Sequence, residues 1–486
     1  MVQRRRPRQG RRVLTRHLRE GRAHAGGARL VRRPPHVDQG SFAGEEIGMS
    51  RETVDRLVGS VVREVSPDEY VVLLFSGQEL RVKFYDNRIA VSEREVVDTA
   101  RLYAVKSGRH ALVGVEDMSD HGIESAARDL RAAIESSPEV RRPPLPPPSK
   151  YDHNGDFDEG AVDADAVSIV EAGISSALSS GARRVAGVLE LGVVDVSIRT
   201  SSGVDQADRR SYALLNIRAF VDDDASGQGI SVSTTPRRLD PHRAGSSAAE
   251  IARIASKPCR IEPGEYDVIL APISAADLMQ HVGAAASAYS VSSGFSFLEG
   301  RLGSRVAPEW LSVVDHGQIV DGVGSRSFDD EGVPTRTNSI IGNGVLRTYL
   351  HNTVTAAEFG STTTGNAGLV EPGPWNLEVS PGDSSPEEMI REVRRGIMVT
   401  SNWYTRFQNY RIGDYSTLPR DASPVIEGGE VKCSARGIRV SSNVPRDLEN
   451  IAMASKERQW IKWWEVEIPV LTPYIMVRNM GVTSAF

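Results

Sequence analysis

Cysteine is scarce in this 486-residue sequence, which contains only Cys259 and Cys433. Two cysteines cannot build a scaffold of several disulfides, and such scarcity favours a reducing compartment, so we expect a cytoplasmic protein. No apolar run approaches the roughly 20 residues that a membrane-spanning helix requires. The sequence also lacks a GxxxxGKS/T phosphate loop, a G-x-S-x-G nucleophile elbow and paired CxxC motifs. None of these three kinds of site is therefore predicted.

Positive charge is concentrated at the N-terminus. Residues 1–48 contain twelve arginines and no lysine, whereas the rest of the chain has more acidic than basic side chains. An acidic body argues against a general nucleic-acid binder. Residues 1–48 form an Arg-rich leader that has three interpretations. It is a nucleic-acid arm, a transit peptide, or a disordered segment that precedes a true start at Met49. We favour the third, because the first periodic segment begins at Met49 and residues 45–48 could be a translated ribosome-binding site.

Hydrophobic periodicity divides the remaining chain into four parts. Residues 49–140 and 158–260 each mix helix and strand patterns, so two α+β domains are predicted. Residues 141–157 contain a run of prolines that predicts an extended, stiff linker rather than a ligand for an SH3-like module. Residues 261–486 are rich in glycine, short strands and turns. The predicted fold class is α+β, with N-terminal α+β domains followed by a glycine-rich, mostly β C-terminal domain.

Three apolar stripes at helical spacing support this division. The first comprises Val54, Leu57, Val58, Val61, Val62 and Val65; the second comprises Val167, Val170, Ile174 and Leu178; the third comprises Leu278, Val282, Ala285 and Tyr289.

Distinctive motifs follow one another between residues 315 and 368. An acidic turn, SFDDEGVPT, occupies residues 327–335. Residues 340–346 read IIGNGVL, in which an Asn-Gly pair between apolar residues is typical of a β-hairpin. The sequence STTTGNA follows at residues 361–367. Each piece alone is a weak signal, but their order is specific.

This succession resembles the signature block of the TldD/PmbA (TldD/TldE) metallopeptidase family. Residues 405–416, TRFQNYRIGDYS, resemble a further run of that family, R..NY.TGDFS. The similarity extends over residues 49–486. It implies a TldD/PmbA-like fold.

The catalytic motif of the family is missing where it is expected. TldD-type subunits carry His-Glu-x-x-x-His on a helix before a VVDDG-like strand, because catalytic zinc needs several protein ligands and a general base. The matching segment here is residues 280–285, with Gln280, His281 and Ala285 at the three positions. Alanine has no ligand atom, the motif glutamate is absent, and shifting the segment by one residue does not restore the motif. No catalytic or metal-binding residue is therefore assigned, and other ligand candidates are scattered: His316, His351, Cys259 and Cys433.

The resemblance thus implies a TldE/PmbA-like subunit that lacks the HExxxH motif. Its expected partner is a TldD-like catalytic subunit that carries zinc, and the expected substrates are unfolded or small peptides, with neither nucleic acid nor membrane as a partner. Whether the chain is itself an enzyme stays open. The alternatives are an active metallopeptidase with a rearranged metal site and a stand-alone peptide-binding scaffold.

The family motifs also supply candidate substrate-binding residues. The acidic turn has two interpretations: its carboxylates cap neighbouring backbone donors, or they line the peptide channel. The full set of candidates is Asp329, Asp330, Glu331, Gly365, Asn366, Asn409 and Asp414.

Overall fold

The computed structural model describes residues 51–484 except Arg141 and Asn154, so the Arg-rich leader predicted at residues 1–48 lies outside the described residues. The helices of the described part are α1 (Arg51–Val65), α2 (Asp120–Ser136), α3 (Ala166–Ser179), α4 (Pro241–Ala255), α5 (Pro272–Ala285), α6 (Ala288–Ser292), α7 (Thr353–Glu358), α8 (Pro386–Glu392) and α9 (Val444–Glu449). The strands are β1 (Glu69–Tyr85), β2 (Arg88–Lys106), β3 (Arg109–Val115), β4 (Arg184–Thr200), β5 (Asp205–Phe220), β6 (Ser226–Ser233), β7 (Pro258–Cys259), β8 (Gly264–Leu270), β9 (Val313–His316), β10 (Thr337–Gly342), β11 (Val345–Leu346), β12 (Leu377–Val379), β13 (Arg395–Val399), β14 (Ser401–Asn409), β15 (Asp414–Arg420), β16 (Pro424–Glu427), β17 (Glu430–Ala435), β18 (Ile438–Asn443), β19 (Ile451–Trp463) and β20 (Val466–Ser484).

The first six strands form one antiparallel sheet in the order β3-β2-β1-β4-β5-β6. Side chains alternate between the two faces of a strand. On β1, Val72 and Leu74 belong to the apolar cluster of α1 and α2, whereas Val82 and Phe84 belong to that of α3 and α4. The two α+β units predicted from the sequence therefore share a single sheet, and their division into separate domains remains a prediction.

The proline-rich linker packs along the opposite face of this sheet. Leu145 is buried in a cluster with Val71, and its backbone N–H donates to the Glu69 carboxylate at 2.9 Å. Ser202 donates a hydrogen bond to the carbonyl oxygen of Pro146 at 2.6 Å. The linker is therefore held by specific contacts to the sheet, which its composition alone did not predict.

The C-terminal part is built on a second sheet of fourteen strands. Its main path runs β11-β10-β9-β12-β20-β8-β13-β16-β17-β7, while β14, β15, β18 and β19 branch from it. The sheet is mixed, because β12 pairs parallel with β20 and β13 pairs parallel with β8. The predicted α+β fold with a β-rich C-terminal domain is confirmed.

Helix α5 is the core helix of this second part. Pro272 stands at its first turn, where a missing backbone N–H costs no hydrogen bond. Almost all of its residues are buried, as expected for a helix that is apolar on every side. At Gly283 an added Cβ atom would lie 2.5 Å from the Leu377 side chain, so the helix approaches β12 closely. Among the described helices, none is long and apolar enough to cross a membrane.

Cys259 and Cys433 form a disulfide between β7 and β17. The two strands pair in parallel, and this pairing brings together residues that are 174 positions apart. One disulfide is not a scaffold of several disulfides, so the exclusion of such a scaffold holds. The other expectation drawn from the two cysteines, a reducing compartment, stays a prediction.

Candidate functional site

A buried carboxyl group lies at the centre of the surface that α5 turns towards β14. Asp277 accepts hydrogen bonds from the Gln280 amide at 3.0 Å, from the Asn402 amide at 2.5 Å and from the Thr405 hydroxyl at 2.5 Å. Burial raises the pKa of the Asp277 carboxyl to about 6, and these hydrogen bonds only partly offset the effect of burial. Asp277 therefore fastens α5 to β14.

His281 lies one helical turn after Asp277. Its Nε2 atom is buried without a hydrogen-bond partner among the described residues, and it stands 3.8 Å from Asp277 Oδ1. Burial lowers the pKa of the imidazole to about 4, while Glu465 and Arg406 have smaller and opposite effects. The imidazole is therefore neutral near pH 7, and its contact with Asp277 is not an ion pair.

A cavity of about 310 Å³ opens beside His281. Its size lies at the lower end of the roughly 300–1,000 Å³ range of ligand sites. Five aromatic side chains dominate the walls: Tyr289, Phe295, Phe297, Phe407 and Tyr410. The remaining lining residues are His281, Ala284, Ala285, Ser290 and Glu371.

Known proteins resemble this part of the chain most clearly. Residues 263–484 match the family model of the PmbA/TldA metallopeptidase C-terminal domain. A metalloprotease of Methanocaldococcus jannaschii is 36% identical over 152 residues, which cover 30% of this chain and 33% of that protein. Metalloprotease PmbA of Escherichia coli O157:H7 is 28% identical over 218 residues, which cover 45% of this chain and 47% of PmbA. The chain thus spans between a third and a half of the length of these curated relatives.

The fold comparison extends over a larger share of the chain. The crystal structure of TldE from Thermococcus kodakarensis matches with a TM-score of 0.77 and 21% identity, covering 89% of this chain and 100% of that one. Residues 263–484 belong to the PmbA/TldA metallopeptidase C-terminal domain family. Within that family, the helix expected to bear the catalytic motif is α5.

Of the three motif positions on α5, only His281 carries a side chain that commonly ligates zinc. Gln280 is engaged elsewhere: its amide nitrogen donates to the Glu465 carbonyl at 2.5 Å, and its amide oxygen accepts from Glu467 N–H at 2.9 Å. His281 and Ala285 face the cavity. One imidazole beside one carboxyl group falls short of the three protein ligands that catalytic zinc requires.

The scattered histidines and cysteines do not complete the set. His316 Nε2 lies 2.7 Å from Glu378, His351 Nδ1 lies 3.3 Å from Thr355, and both cysteines are in the disulfide. Throughout the described ranges, no three His, Cys, Asp or Glu side chains come together as a group that could hold a metal ion. This geometry does not favour the alternative of a rearranged metal site.

The acidic turn is buried and bonded within the chain. Asp329 accepts hydrogen bonds from the backbone N–H groups of Glu331, Val333 and Ala367. Glu331 accepts from both the backbone N–H and the hydroxyl of Thr353, at the first residue of α7. Asp330 lies between two arginines, 3.5 Å from Arg101 and 3.9 Å from Arg326. These contacts match the capping interpretation, and a role in binding substrate stays a prediction.

Gly365 and Asn366 belong to a neighbouring buried network. The Asn366 amide donates to Asp315 at 2.7 Å and to the Gly373 carbonyl at 3.0 Å. An added Cβ atom at Gly365 would meet the Pro334 carbonyl oxygen at 2.5 Å. Burial raises the pKa of the Asp315 carboxyl to about 6, despite the donors around it. Both candidates thus lie outside the lining of the cavity.

Asn409 and Asp414 flank the turn between β14 and β15. Asn409 Oδ1 accepts from the backbone N–H groups of Arg411 at 3.0 Å and Ile412 at 3.4 Å. Asp414 accepts from the Asn443 amide at 2.9 Å. The turn presents Tyr410 to the cavity. Of all the predicted motif and substrate-binding residues, the cavity wall contains only His281 and Ala285.

The aromatic side chains of the wall were missed by sequence reasoning. They come from residues 289–297 and 407–410, with Glu371 contributed by a third segment. The chain has few aromatic residues, 6% of the total, so the close spacing of Tyr289, Phe295 and Phe297 was the available signal.

Proposed function

We propose that this chain is a TldE-like, non-catalytic subunit of a cytoplasmic metallopeptidase complex. In this role it binds unfolded or small peptides, and a TldD-type partner subunit holds the zinc ion and carries out hydrolysis. The chain itself holds no catalytic zinc.

One observation carries the proposal: Ala285, at the position of the second motif histidine, forms part of the wall of an aromatic-lined cavity. His281 adds a neutral imidazole to the same wall. A concave, apolar surface with few polar groups is suited to binding a ligand, and its lining lacks the three protein ligands that a catalytic zinc ion needs. The donor set therefore supports binding without hydrolysis.

The test combines metal analysis with peptide cleavage. The purified full chain should contain no stoichiometric zinc and should leave an unstructured peptide intact. Mixed with a TldD-type subunit from the same cell, it should form a complex that cleaves the peptide, and chelation should abolish the cleavage. His281→Ala in this chain should not abolish cleavage by the complex, whereas substitution of the partner's HExxxH histidines should eliminate it.

Stoichiometric zinc and chelator-sensitive cleavage by this chain alone would overturn the proposal. That result would favour an active peptidase with a rearranged metal site.

A stand-alone peptide-binding scaffold is the second candidate. Residues 289–297 and 407–410 of this chain already bring five aromatic side chains to the cavity, which supports peptide binding by the chain alone. Gel filtration of the chain with and without the TldD-type subunit distinguishes the two candidates, because a scaffold would bind peptide yet remain unassociated.

A further inference from the structure

The cavity beside His281 combines an aromatic wall with a single charge at its rim. Glu371 is the one charged side chain among its lining residues in the described chain, since the imidazole of His281 is neutral. The Glu371 side chain is exposed and accepts a hydrogen bond from the Ser290 hydroxyl at 2.6 Å. This bond fixes the carboxylate where α6 meets the cavity.

Phe295 stands at the mouth of the cavity in a defined backbone motif. Gly294 has φ of +73°, and the N–H groups of Gly294 and Phe295 donate to the carbonyls of Val291 and Ser290. This is the Schellman ending of α6, in which the apolar residue after the glycine usually packs back against its own helix. Phe295 instead remains 63% exposed, so an apolar ring is held at the opening by a rigid turn.

The opposite wall is equally well fixed. The rings of Phe407 and Tyr410 stack with centroids 4.8 Å apart and planes 13° apart. Phe407 also contacts His281 edge-on at 5.0 Å, and the bonds of Asn409 shape the turn that carries Tyr410. Two preformed aromatic walls therefore face each other, and little ordering is needed before a ligand binds.

We propose that this cavity is a specificity subsite that takes one bulky apolar or aromatic side chain of a bound peptide. Glu371 at the rim favours a cationic residue, or a free amine, next to that side chain. The volume of about 310 Å³ suits a side chain and its backbone rather than a folded segment. This inference rests on the proposed function as a peptide-binding subunit and adds the class of peptide that is selected.

The test uses the full chain and three dye-labelled, end-blocked peptides that differ only at two central residues within Gly/Ser flanks. The central pairs are Phe-Arg, Ala-Arg and Phe-Glu. Burial of a phenylalanine ring is worth about 1.5–3 kcal/mol, so Phe-Arg should bind about 10- to 100-fold more tightly than Ala-Arg. Exposed ion pairs are weaker, so Phe-Arg should exceed Phe-Glu by about 2- to 5-fold.

Matched variants test which residues of the cavity cause these peptide preferences. Phe295→Ala and Tyr410→Ala should reduce the preference for Phe-Arg over Ala-Arg, and both positions are exposed enough to spare the fold. Tyr85→Ala is the control, because it removes an exposed aromatic ring from the end of β1. Glu371→Gln should erase the preference for Arg over Glu, whereas the exposed Glu392→Gln should not.

Each other outcome has a distinct meaning. Equal affinities for Phe-Arg and Ala-Arg would overturn the subsite and leave the proposed function standing. Absence of binding to all three peptides would defeat the proposed function and the subsite with it. If Phe295→Ala weakens association with the TldD-type subunit and leaves the peptide preference unchanged, the aromatic face is a subunit interface and the inference is wrong.

Discussion

The imidazole of His281 packs edge-on against the ring of Phe407, with the ring centroids 5.0 Å apart. This contact connects α5 to β14 and makes the histidine part of an aromatic wall. Its Nε2 atom is buried and lacks a hydrogen-bond partner within the described structure. His281 is therefore held as an uncharged ring, which has a measurable consequence for stability.

We predict that His281→Leu removes an acid-sensitive contribution to the free energy of unfolding. Burial lowers the pKa of His281 to about 4, below its ordinary value of 6.5, so the unfolded chain binds the proton more readily. The stabilising contribution is present above pH 6.5 and is lost as the pH falls towards 4. Between pH 7 and pH 4, the free energy of unfolding of the wild type, measured by urea denaturation, should fall by about 3 kcal/mol more than that of His281→Leu.

His242→Gln is the matched control, because His242 is exposed. A stability difference between wild type and His281→Leu that is the same at both pH values would contradict a neutral, buried imidazole.

The second prediction concerns the acidic turn. Asp329→Ala should destabilise the protein by about 3 kcal/mol or more, because three buried backbone donors lose their acceptor. Peptide affinity of the folded fraction should not change, since Asp329 lies outside the cavity lining. Thermal denaturation and peptide titration of the same preparation measure the two effects.

Asp223→Ala removes a carboxylate from an exposed turn and should have little effect on either quantity. The channel interpretation of the acidic turn would gain support if Asp329→Ala kept its stability and lost affinity for peptide.

Local patterns predicted the local elements well. Val54, Leu57, Val61 and Val65 are buried along α1, as their helical spacing indicated, whereas Val62 of the same predicted stripe is exposed. The Asn343-Gly344 pair forms the predicted hairpin between β10 and β11. The buried face of a helix and the turn of a hairpin depend on residues that are close in sequence, so a single sequence is enough to predict them.

The buried face of α3 was only partly predicted. Val170 and Ile174 are buried as expected, whereas Val167 is exposed and the helix buries Gly173 instead. The reason is the packing of α3 against α4, where an added Cβ atom at Gly245 would lie 2.3 Å from the Gly173 carbonyl oxygen. Close helix contact of this kind selects small residues, and a hydrophobic stripe does not indicate it.

The candidate site likewise combines features that local sequence predicts with features that long-range packing determines. The position of the degenerate motif on α5 follows from neighbouring sequence, and His281 and Ala285 do border the cavity. The opposite wall comes from residues more than one hundred positions away, Phe407 and Tyr410, which reach the cavity through the register of the second sheet. Long-range register is set by packing of the whole domain, so periodicity could not place these rings.

A third prediction assigns Asn409 a positioning role. Asn409→Ala should weaken binding of the Phe-Arg peptide by about 5-fold, because a lost hydrogen bond of about 1 kcal/mol loosens the turn that carries Tyr410. Asn409→Asp should restore affinity, since a carboxylate oxygen can accept the same N–H groups of Arg411 and Ile412. Gln408→Ala, at the exposed neighbouring position, is the control.

Equal weakening by Asn409→Ala and Asn409→Asp would favour a direct contact between the amide and the peptide. That was the interpretation suggested by the family motif alone.

The disulfide leads to the last prediction. Cys259 and Cys433 close a loop across 174 residues of the C-terminal part, and both are only half-buried, so a reductant can reach them. Cross-links that close long loops remove much of the entropy of the unfolded chain, and loss of a native disulfide costs about 2–5 kcal/mol. Dithiothreitol should therefore lower the free energy of unfolding of the wild-type protein, measured by urea denaturation, by an amount in that range, and the urea midpoint should fall with it.

The double variant Cys259→Ser/Cys433→Ser should start from the lower midpoint and should not respond to dithiothreitol. Thiol counting on protein that is alkylated during lysis of its own cell decides whether the bond exists there. Absence of reactive thiols would mean that the disulfide exists in the cell, although a reducing cytosol usually keeps cysteines as free thiols. Two reactive thiols, together with an unfolding midpoint that dithiothreitol does not change, would contradict a stabilising disulfide. They would also agree with the reducing compartment that the scarcity of cysteine indicates.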